Sequence, residues 1–405
     1  MATDEGTAPS ADSPWSRTYE EARTKFREAA MAAGAELETI AYDEASSESW
    51  PGPSNEVIDV ATLRGEGRLL LHSSGVHGVE GYAGSAIQVA FLRSFAEKKT
   101  KTNRCSIVLI HGVNASGMRE SRRWSKNNVD LNRNYRDDFK DDDDSLYDAF
   151  HDFLNPPRPE FSKILFYAQA FYMQCVHGAQ RAKEAVVKGQ AKYPDGLFFR
   201  GTRLEPALAA VDGYLKKKKK HTLFFRQSTP PPPLLERAVH VDVHTGLGPR
   251  GRHTLIVQSD DPNPPELDVV RPTAADDDFE EGNDFEEGDL LEIIRTTDTK
   301  KSVSYHIKGG FAEAAIPAFG GAAVEAKLVQ EFGTERAIPV LCALRDELAL
   351  LRQCRRDRTP VPDPSHPIRA RLREVFYPEH DLSWKASVLH QGLRLIHKAI
   401  AFLER

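Results

Sequence analysis

The chain has 405 residues, of which 40% are hydrophobic and 28% charged, and its formal net charge is -6. A chain of this length can bury a large core, as one α/β domain or as two smaller domains. Its slightly acidic balance gives no general attraction to nucleic acid or to anionic lipid, so neither is expected as a partner.

The cysteines and the N-terminal sequence bear on the compartment. No CxxC pair occurs, so we expect reduced thiols and no disulfide. The N-terminal residues are polar and acidic, and no run approaches the length of a membrane span. These features predict a soluble, cytoplasmic protein. The four cysteines are Cys105, Cys175, Cys342 and Cys354.

The first predicted element is a helix near Arg17–Ala33. From Glu66 onward, short apolar runs that end in Gly, Ser or His alternate with helical patterns. This alternation predicts strands joined by crossover helices, and therefore a largely parallel sheet that is covered on both faces. Amphipathic patterns at Val340–Arg352 and Ser383–Leu403 predict two late helices. The apolar runs are GRLLLHSSG, CSIVLIHGVN, AVHVDVHTG and AKLVQEFGT.

Polar residues close several of these runs. Ligands of such folds bind outside the carboxyl ends of the strands. We therefore expect the closing residues to gather at one edge of the sheet. They are His77 with Glu80, Asn114, His244 and Glu331.

Several segments have a biased composition, which favours solvated loops or disordered insertions over a partner-docking or nucleic-acid-binding role. The predicted organisation is a disordered tail over residues 1–16 and one domain over 17–405, with insertions near 137–150, 214–236 and 272–290. A lysine run without interleaved aromatic residues is weak evidence for nucleic acid. The segments are Asp141–Asp144, Lys216–Lys220, Pro230–Pro233 and the repeated DFEEG at Asp278–Gly282 and Asp284–Gly288.

The string HGVEG places His77 and Glu80 three residues apart, directly after an apolar strand. A hydrolytic zinc site uses three nitrogen or oxygen ligands and leaves a fourth position open for water. His-x-x-Glu alone is common by chance, so the third ligand must come from elsewhere. His244 is a candidate because it closes a strand of the buried type, where an imidazole needs a partner or a metal.

Other histidines compete with His244 for that role. His240 lies in the same run, and His72 and His111 also close strands. Strand periodicity does not choose among them. Each could instead be a hydrogen-bonded structural residue.

The string VDLNRN adds polar groups that suit substrate binding. An arginine beside an asparagine, here Arg133 and Asn132, can bind a carboxylate, and Arg is preferred for a planar bidentate match. Asp130 could accept a hydrogen bond from a zinc-bound imidazole and fix its tautomer. A surface ion pair for Arg133 and a turn role for Asp130 are equally compatible with the string.

Taken in order, HGVEG, NxxG, VDLNRN, DVHTGLG and EFGT resemble the carboxypeptidase A-like zinc peptidases, most closely a branch known only as a domain of unknown function. The resemblance extends from about Thr18 to the C-terminus. It implies a single α/β domain with a central mixed, mostly parallel sheet flanked by helices. It also implies a catalytic zinc and hydrolysis of an amide or peptide bond next to a carboxylate.

The resemblance also implies roles for individual residues. It makes His77, Glu80 and His244 the zinc ligands, with Asp130 orienting the first histidine. It assigns the terminal carboxylate to Asn132 and Arg133, the polarising arginine to Arg122 or Arg123, and the general base to Glu331. For Glu331 the chemistry agrees, because a carboxylate facing the metal can take a proton from water and return it to the leaving amine.

The match leaves the substrate open. NASG stands at Asn114–Gly117 where the branch has NPYG, and Glu80 and His244 are farther apart than in ordinary carboxypeptidases. A peptide and an N-acyl amino acid would both suit the predicted site. A non-catalytic binding module that kept the fold is the alternative from another class, and no oligomeric state is predicted.

Overall fold

The structure is a computed structural model, and it describes residues 12–43, 55–99, 105–139, 144–159, 162–220, 235–261, 263–271, 290–294, 307–319, 322 and 324–405. The predicted insertion near 272–290 lies outside the described residues except for its last residue. So do Pro230–Pro233 and residues 1–11 of the predicted tail. The insertions near 137–150 and 214–236 are described in part.

A mixed sheet of eight strands runs through the described part of the chain, in the order β1-β2-β4-β3-β5-β8-β6-β7. Four of the seven pairings are parallel, and these include β3 with both β4 and β5, and β5 with β8. The strands are β1 (Glu36–Asp43), β2 (Asn55–Leu63), β3 (Arg68–Ser74), β4 (Cys105–His111), β5 (Arg237–Leu247), β6 (His253–Gln258), β7 (Leu290–Ile294) and β8 (Val324–Glu335). The predicted single α/β domain with a mixed, mostly parallel sheet is confirmed.

The inner strands are buried because helices cover both faces of the sheet. Side chains alternate between the faces: Leu70 and Val239 pack toward α2, whereas Leu71 and Ala238 pack toward α8. The helices are α1 (Tyr19–Ala32), α2 (Gly81–Glu97), α3 (Ala115–Arg119), α4 (Ser145–Asp148), α5 (His151–Leu154), α6 (Lys163–His177), α7 (Ala179–Val187), α8 (Pro206–Lys220), α9 (Glu266–Val270), α10 (Phe311–Phe319), α11 (Ala337–Asp357), α12 (Pro367–Phe376) and α13 (Leu382–Glu404).

The first described residues of the chain pack against the domain. Thr18 caps α1 by accepting a hydrogen bond from the Glu21 amide, which agrees with the predicted first helix. Trp15 is buried and its ring centroid lies 6.0 Å from that of Tyr377. Trp15 and Ser16, the last two residues of the predicted tail, are thus buried against the domain, and the tail over residues 1–11 stays a prediction.

The lysine run at 216–220 is helical, not a loop. It forms the end of α8, since lysine has a good helix propensity and its stem can lie along apolar surface. Lys218 is buried and forms an ion pair with Glu38 on β1. The solvated-loop prediction for this run is wrong because composition alone did not reveal that α8 packs against β1.

Among the described helices, none has both the length and the apolar character needed to cross a membrane.

Candidate metal centre

Two neighbouring parallel strands bring the predicted ligands together. His77 and Glu80 lie in the turn between the end of β3 and the start of α2, and His244 lies on β5, which pairs with β3. On the other side of β5, His244 is in register with Glu331 of β8. The carboxyl ends of β3, β5 and β8 therefore place these four residues at one edge of the sheet, as the sequence predicted.

The donor atoms of three of these residues converge. His244 Nδ1 lies 3.1 Å from His77 Nδ1 and 3.0 Å from Glu80 Oε2, and His77 Nδ1 lies 3.1 Å from Glu80 Oε1. One ligand atom from each residue falls within 4.8 Å of the others, and all three side chains are buried. Two imidazole nitrogens and one carboxylate form the donor set of an open catalytic zinc site.

The outward nitrogens of the two imidazoles are fixed by carboxylates. His77 Nε2 donates to Asp130 Oδ1 at 3.0 Å, and His244 Nε2 donates to Asp242 Oδ2 at 2.9 Å. Each bond holds a proton on Nε2, so both Nδ1 atoms face the centre and each would offer its lone pair to a metal once unprotonated. This tautomer is the one that a metal at the centre requires.

Asp242 is a site residue that the sequence analysis missed. It precedes His244 by two positions on β5, so the strand period places both side chains on the same face. Its Oδ1 atom accepts a hydrogen bond from Ser73 Oγ at 2.6 Å, and Ser73 Oγ also lies 2.8 Å from His240 Nε2. A buried chain of polar contacts therefore continues behind His244.

The competing histidines have other partners. His72 Nδ1 accepts from the Gln88 amide at 3.2 Å, and His111 Nε2 contacts Ser85 Oγ at 2.9 Å. Burial lowers the pKa of both histidines to about 4. Within the described ranges, neither these two nor His240 belongs to a potential metal cluster.

The charged groups of the centre shift one another's pKa values. Burial alone would lower the pKa of His244, but the charge and hydrogen bond of Asp242, together with Glu80, raise it to about 10. Burial opposes the ionisation of Glu80, yet His77, Arg123 and His244 hold the pKa of that carboxyl below its usual range. The raised pKa of His244 keeps a proton on its Nδ1 atom beside Glu80 near neutral pH. A metal would displace this proton, because a ligand imidazole must be neutral.

Glu331 lies beside the cluster of His77, Glu80 and His244 without joining it. Its half-buried carboxylate accepts a hydrogen bond from the Leu247 amide at 2.9 Å. Burial and the negative charge of Glu80 raise the pKa of Glu331 to about 6. A carboxylate with this pKa can both accept and return a proton near neutral pH.

The two candidate arginines point in different directions. Arg123 donates to Glu80 through Nη1, and its guanidinium lies 5.2 Å from the centroid of the Trp124 ring. Arg122 instead forms an ion pair with Glu347, with its Nε atom 2.7 Å from Oε1. The structure therefore brings Arg123 to the centre and directs Arg122 toward α11.

Asn132 and Arg133 lie next to Asp130 and are both buried. Asn132 Oδ1 accepts a hydrogen bond from the Phe311 amide at 2.9 Å. Arg133 donates through Nε to the Val187 carbonyl at 2.5 Å and through Nη1 to the Asn132 carbonyl at 3.1 Å. These contacts hold Arg133 at a fixed position beside the centre, and burial lowers its pKa.

The family described as "Protein of unknown function (DUF2817)" matches residues 15–391. The chain belongs to the DUF2817 family. This agrees with the resemblance to a branch known only as a domain of unknown function. No curated protein matches the chain.

Solved structures match this DUF2817 chain at low identity. A structure of bovine thrombin-activatable fibrinolysis inhibitor in complex with tick carboxypeptidase inhibitor is 10% identical, with a TM-score of 0.46 and coverage of 96% of this chain and 98% of that chain. Carboxypeptidase A from Helicoverpa armigera is 10% identical, with a TM-score of 0.43 and coverage of 90% and 75%. Succinylglutamate desuccinylase from Chromobacterium violaceum is 15% identical, with a TM-score of 0.35 and coverage of 84% and 76%.

In this DUF2817 chain the NASG turn supports the metal-ligand loop. Asn114 Oδ1 accepts a hydrogen bond from the Gly117 amide at 2.9 Å and so caps α3. Gly78, between the two ligands of HGVEG, packs so closely on this turn that an added Cβ atom would lie 2.1 Å from the Gly117 carbonyl carbon. Asn114 and Gly117 thus shape the loop that carries His77 and Glu80.

Proposed function

We propose that this protein is a zinc-dependent hydrolase that cleaves an amide or peptide bond adjacent to a free carboxylate. The observation that carries the proposal is the convergence of His77 Nδ1, His244 Nδ1 and a Glu80 oxygen within one buried cluster. Two further carboxylates orient the imidazoles, as is usual around catalytic zinc.

The residues suit a zinc ion better than a harder cation. Two imidazole nitrogens and one carboxylate match zinc, whereas magnesium and calcium favour sites built from oxygen ligands. His77, Glu80 and His244 would hold the ion. When bound, zinc supplies Lewis acidity, which polarises a carbonyl and lowers the pKa of a water molecule to about 7.

Glu331 is the proposed general base. It is in register with His244 across two paired strands, so its carboxylate faces the ligand cluster without being part of it. The raised pKa of about 6 suits a group that takes a proton from the attacking water and then gives it to the leaving amine.

Two arginines have separate proposed roles. Arg123 contacts Glu80 directly, and we assign it the stabilisation of negative charge on the substrate carbonyl oxygen. Arg133 and Asn132 lie farther along the same loop, where they would bind the free carboxylate and orient the scissile bond. The hydrogen bonds of Arg133 to two backbone carbonyls would hold its guanidinium in place before substrate arrives.

A matched substrate panel tests this assignment. Purified protein supplied with zinc is screened against peptides with a free C-terminus, the same peptides amidated at the C-terminus, and N-acyl amino acids. We expect hydrolysis of free-acid substrates, and the panel separates a peptidase from a deacylase because both would use the same ligands. Arg133→Ala should reduce kcat/KM for the acid far more than for the matching amide. Only the acid has a carboxylate that Arg133 can contact, so only the acid loses a charged contact in the variant.

Two results would contradict the proposal. If no member of the panel is hydrolysed by zinc-loaded protein, the binding-module alternative gains. If Arg133→Ala reduces the acid and the amide equally, the protein is not selective for a free carboxylate through Arg133.

A further inference from the structure

The outward face of α6 is apolar. Ile164 is 84% exposed, Phe171 70% and Tyr172 62%. The opposite side of the same helix buries Phe166 and Ala170 against the domain. A contiguous set of large apolar side chains on an exposed helix face is typical of a surface that binds a partner.

The exposed residues form one continuous stripe. At 100° per residue, Ala168 points directly away from the buried Phe166 and Ala170. Its neighbours at three and four positions before and after are large and apolar, and each is exposed. They are Ile164, Leu165, Phe171 and Tyr172. The small Ala168 side chain therefore lies in a shallow depression between four bulky side chains.

The stripe on α6 can pack against the same stripe of a second chain. In an antiparallel helix pair with a two-fold axis at Ala168, the small residue permits close approach of the backbones, and the bulky residues of each helix flank it. A two-fold interface uses the same patch on both subunits, and two-fold dimers are the commonest soluble oligomers. The stripe is self-complementary in this sense.

The size and charge of the stripe also favour a protein partner. An aromatic side chain carries about 150–250 Å² in all. The exposed parts of the four stripe residues, together with those of Tyr167 and Val176 at the two borders of the stripe, offer apolar area on the order of 500–800 Å². Each partner in a standard interface contributes about 800 Å². No charged residue occurs between Ile164 and Val176, whereas helices that lie on membranes carry basic side chains along a polar face.

We propose that the stripe on α6, centred on Ala168, is the interface of a homodimer in which the two α6 helices pack antiparallel. This surface lies outside the metal centre, so the proposal does not depend on the hydrolase assignment.

Light scattering after size exclusion tests the proposal on the full chain. The wild type is expected at twice the 45.2 kDa mass of one chain. Ala168→Arg introduces a charge in the depression and should give the monomer mass. Gln174→Arg adds the same charge at an exposed position of the same helix, about 120° around the helix axis from Ala168, and it should leave the dimer intact.

Cross-linking then tests the geometry. In a Cys175→Ser background, Ala168→Cys places a thiol on the two-fold axis, and copper-phenanthroline should oxidise it to a covalent dimer on a non-reducing gel. Gln174→Cys in the same background is the matched control and should remain a single chain. A monomeric wild type overturns the proposal, including one that sediments with phosphatidylcholine and phosphatidylserine vesicles. So does a dimer that survives Ala168→Arg or fails to cross-link through residue 168.

Discussion

Asp242 Oδ2 accepts a hydrogen bond from His244 Nε2 at 2.9 Å, two residues along the same strand. This contact fixes the tautomer that presents His244 Nδ1 to the other ligands. Asp242→Asn should therefore weaken zinc binding by about 10- to 100-fold, the usual loss when a partner of a metal ligand is changed. A competition titration against a chromogenic chelator measures this affinity.

A surface aspartate provides the control for that titration. The Asp212 carboxylate on α8 accepts a hydrogen bond from the Tyr135 hydroxyl, away from the metal centre. Asp212→Asn should therefore keep the wild-type affinity for zinc. An Asp242→Asn protein that binds zinc as tightly as the wild type would show that the contact does not tune His244.

Glu331→Gln should retain zinc and lose turnover by about 100-fold or more, because the amide cannot accept a proton from water. Glu331 is outside the ligand cluster of the described residues, so the change should leave metal content unaltered. Metal analysis and kinetics on any substrate found in the panel are measured on the same sample. Turnover near the wild-type rate would mean that another group is the base, and loss of zinc would mean that Glu331 is a ligand.

Gly78→Ala should lower both thermal stability and zinc affinity. The added methyl would lie 2.1 Å from the Gly117 carbonyl carbon, and overpacking of this kind costs about 1–3 kcal/mol. The strain falls on the loop that holds His77 and Glu80. Gly213→Ala is the matched control, because nothing lies within 4 Å of the position its Cβ would take. Equal behaviour of the two variants would argue against close packing of the HGVEG and NASG motifs.

Asp59 should stabilise the fold in a pH-dependent way. Burial would raise the pKa of Asp59, but hydrogen bonds from Arg23 and Thr39 and the charge of Arg27 lower it. The stabilisation is therefore complete above the unfolded pKa of about 3.9 and is lost as the pH falls through the lower folded value. Asp59→Asn should cost about 1–3 kcal/mol at neutral pH, given the partly exposed arginines.

Urea unfolding of the wild type and Asp59→Asn across acidic pH checks this prediction. The difference in unfolding free energy should shrink below pH of about 4, where the carboxyl of the wild type is protonated first in the unfolded and then in the folded state. A difference that is the same at acidic and neutral pH would indicate that the ion pairs with Arg23 and Arg27 contribute nothing.

The strands could be predicted because each is a short apolar run, and the polar residues that close these runs could be expected at one edge of a parallel sheet. Parallel pairing of β3, β5 and β8 then brings His77, His244 and Glu331 to one edge. The same strand period could have identified Asp242, since residues two apart on a strand share a face. The DVHTG string carries this signal, because Asp242 and His244 stand two residues apart in it.

Other features depend on tertiary contacts that no local pattern encodes. Arg122 and Arg123 are adjacent, and only the position of Glu347 on α11 and of Glu80 beside α2 separates their roles. Lys218 is buried because α8 packs against β1, where Glu38 is its acidic partner. Likewise, burial of Trp15 depends on rings contributed from the opposite end of the chain.

Zinc stoichiometry of the purified chain and its ligand variants is the most direct test of the metal centre. We expect about one zinc per chain for the wild type, because two imidazoles and one carboxylate form a single site. His77→Ala and His244→Ala should each lose most of it. His111→Gln changes a buried strand-end histidine outside the cluster and should keep it. Full occupancy in both ligand variants, or equal loss in the His111 control, would contradict the assignment of His77, Glu80 and His244 as the metal site.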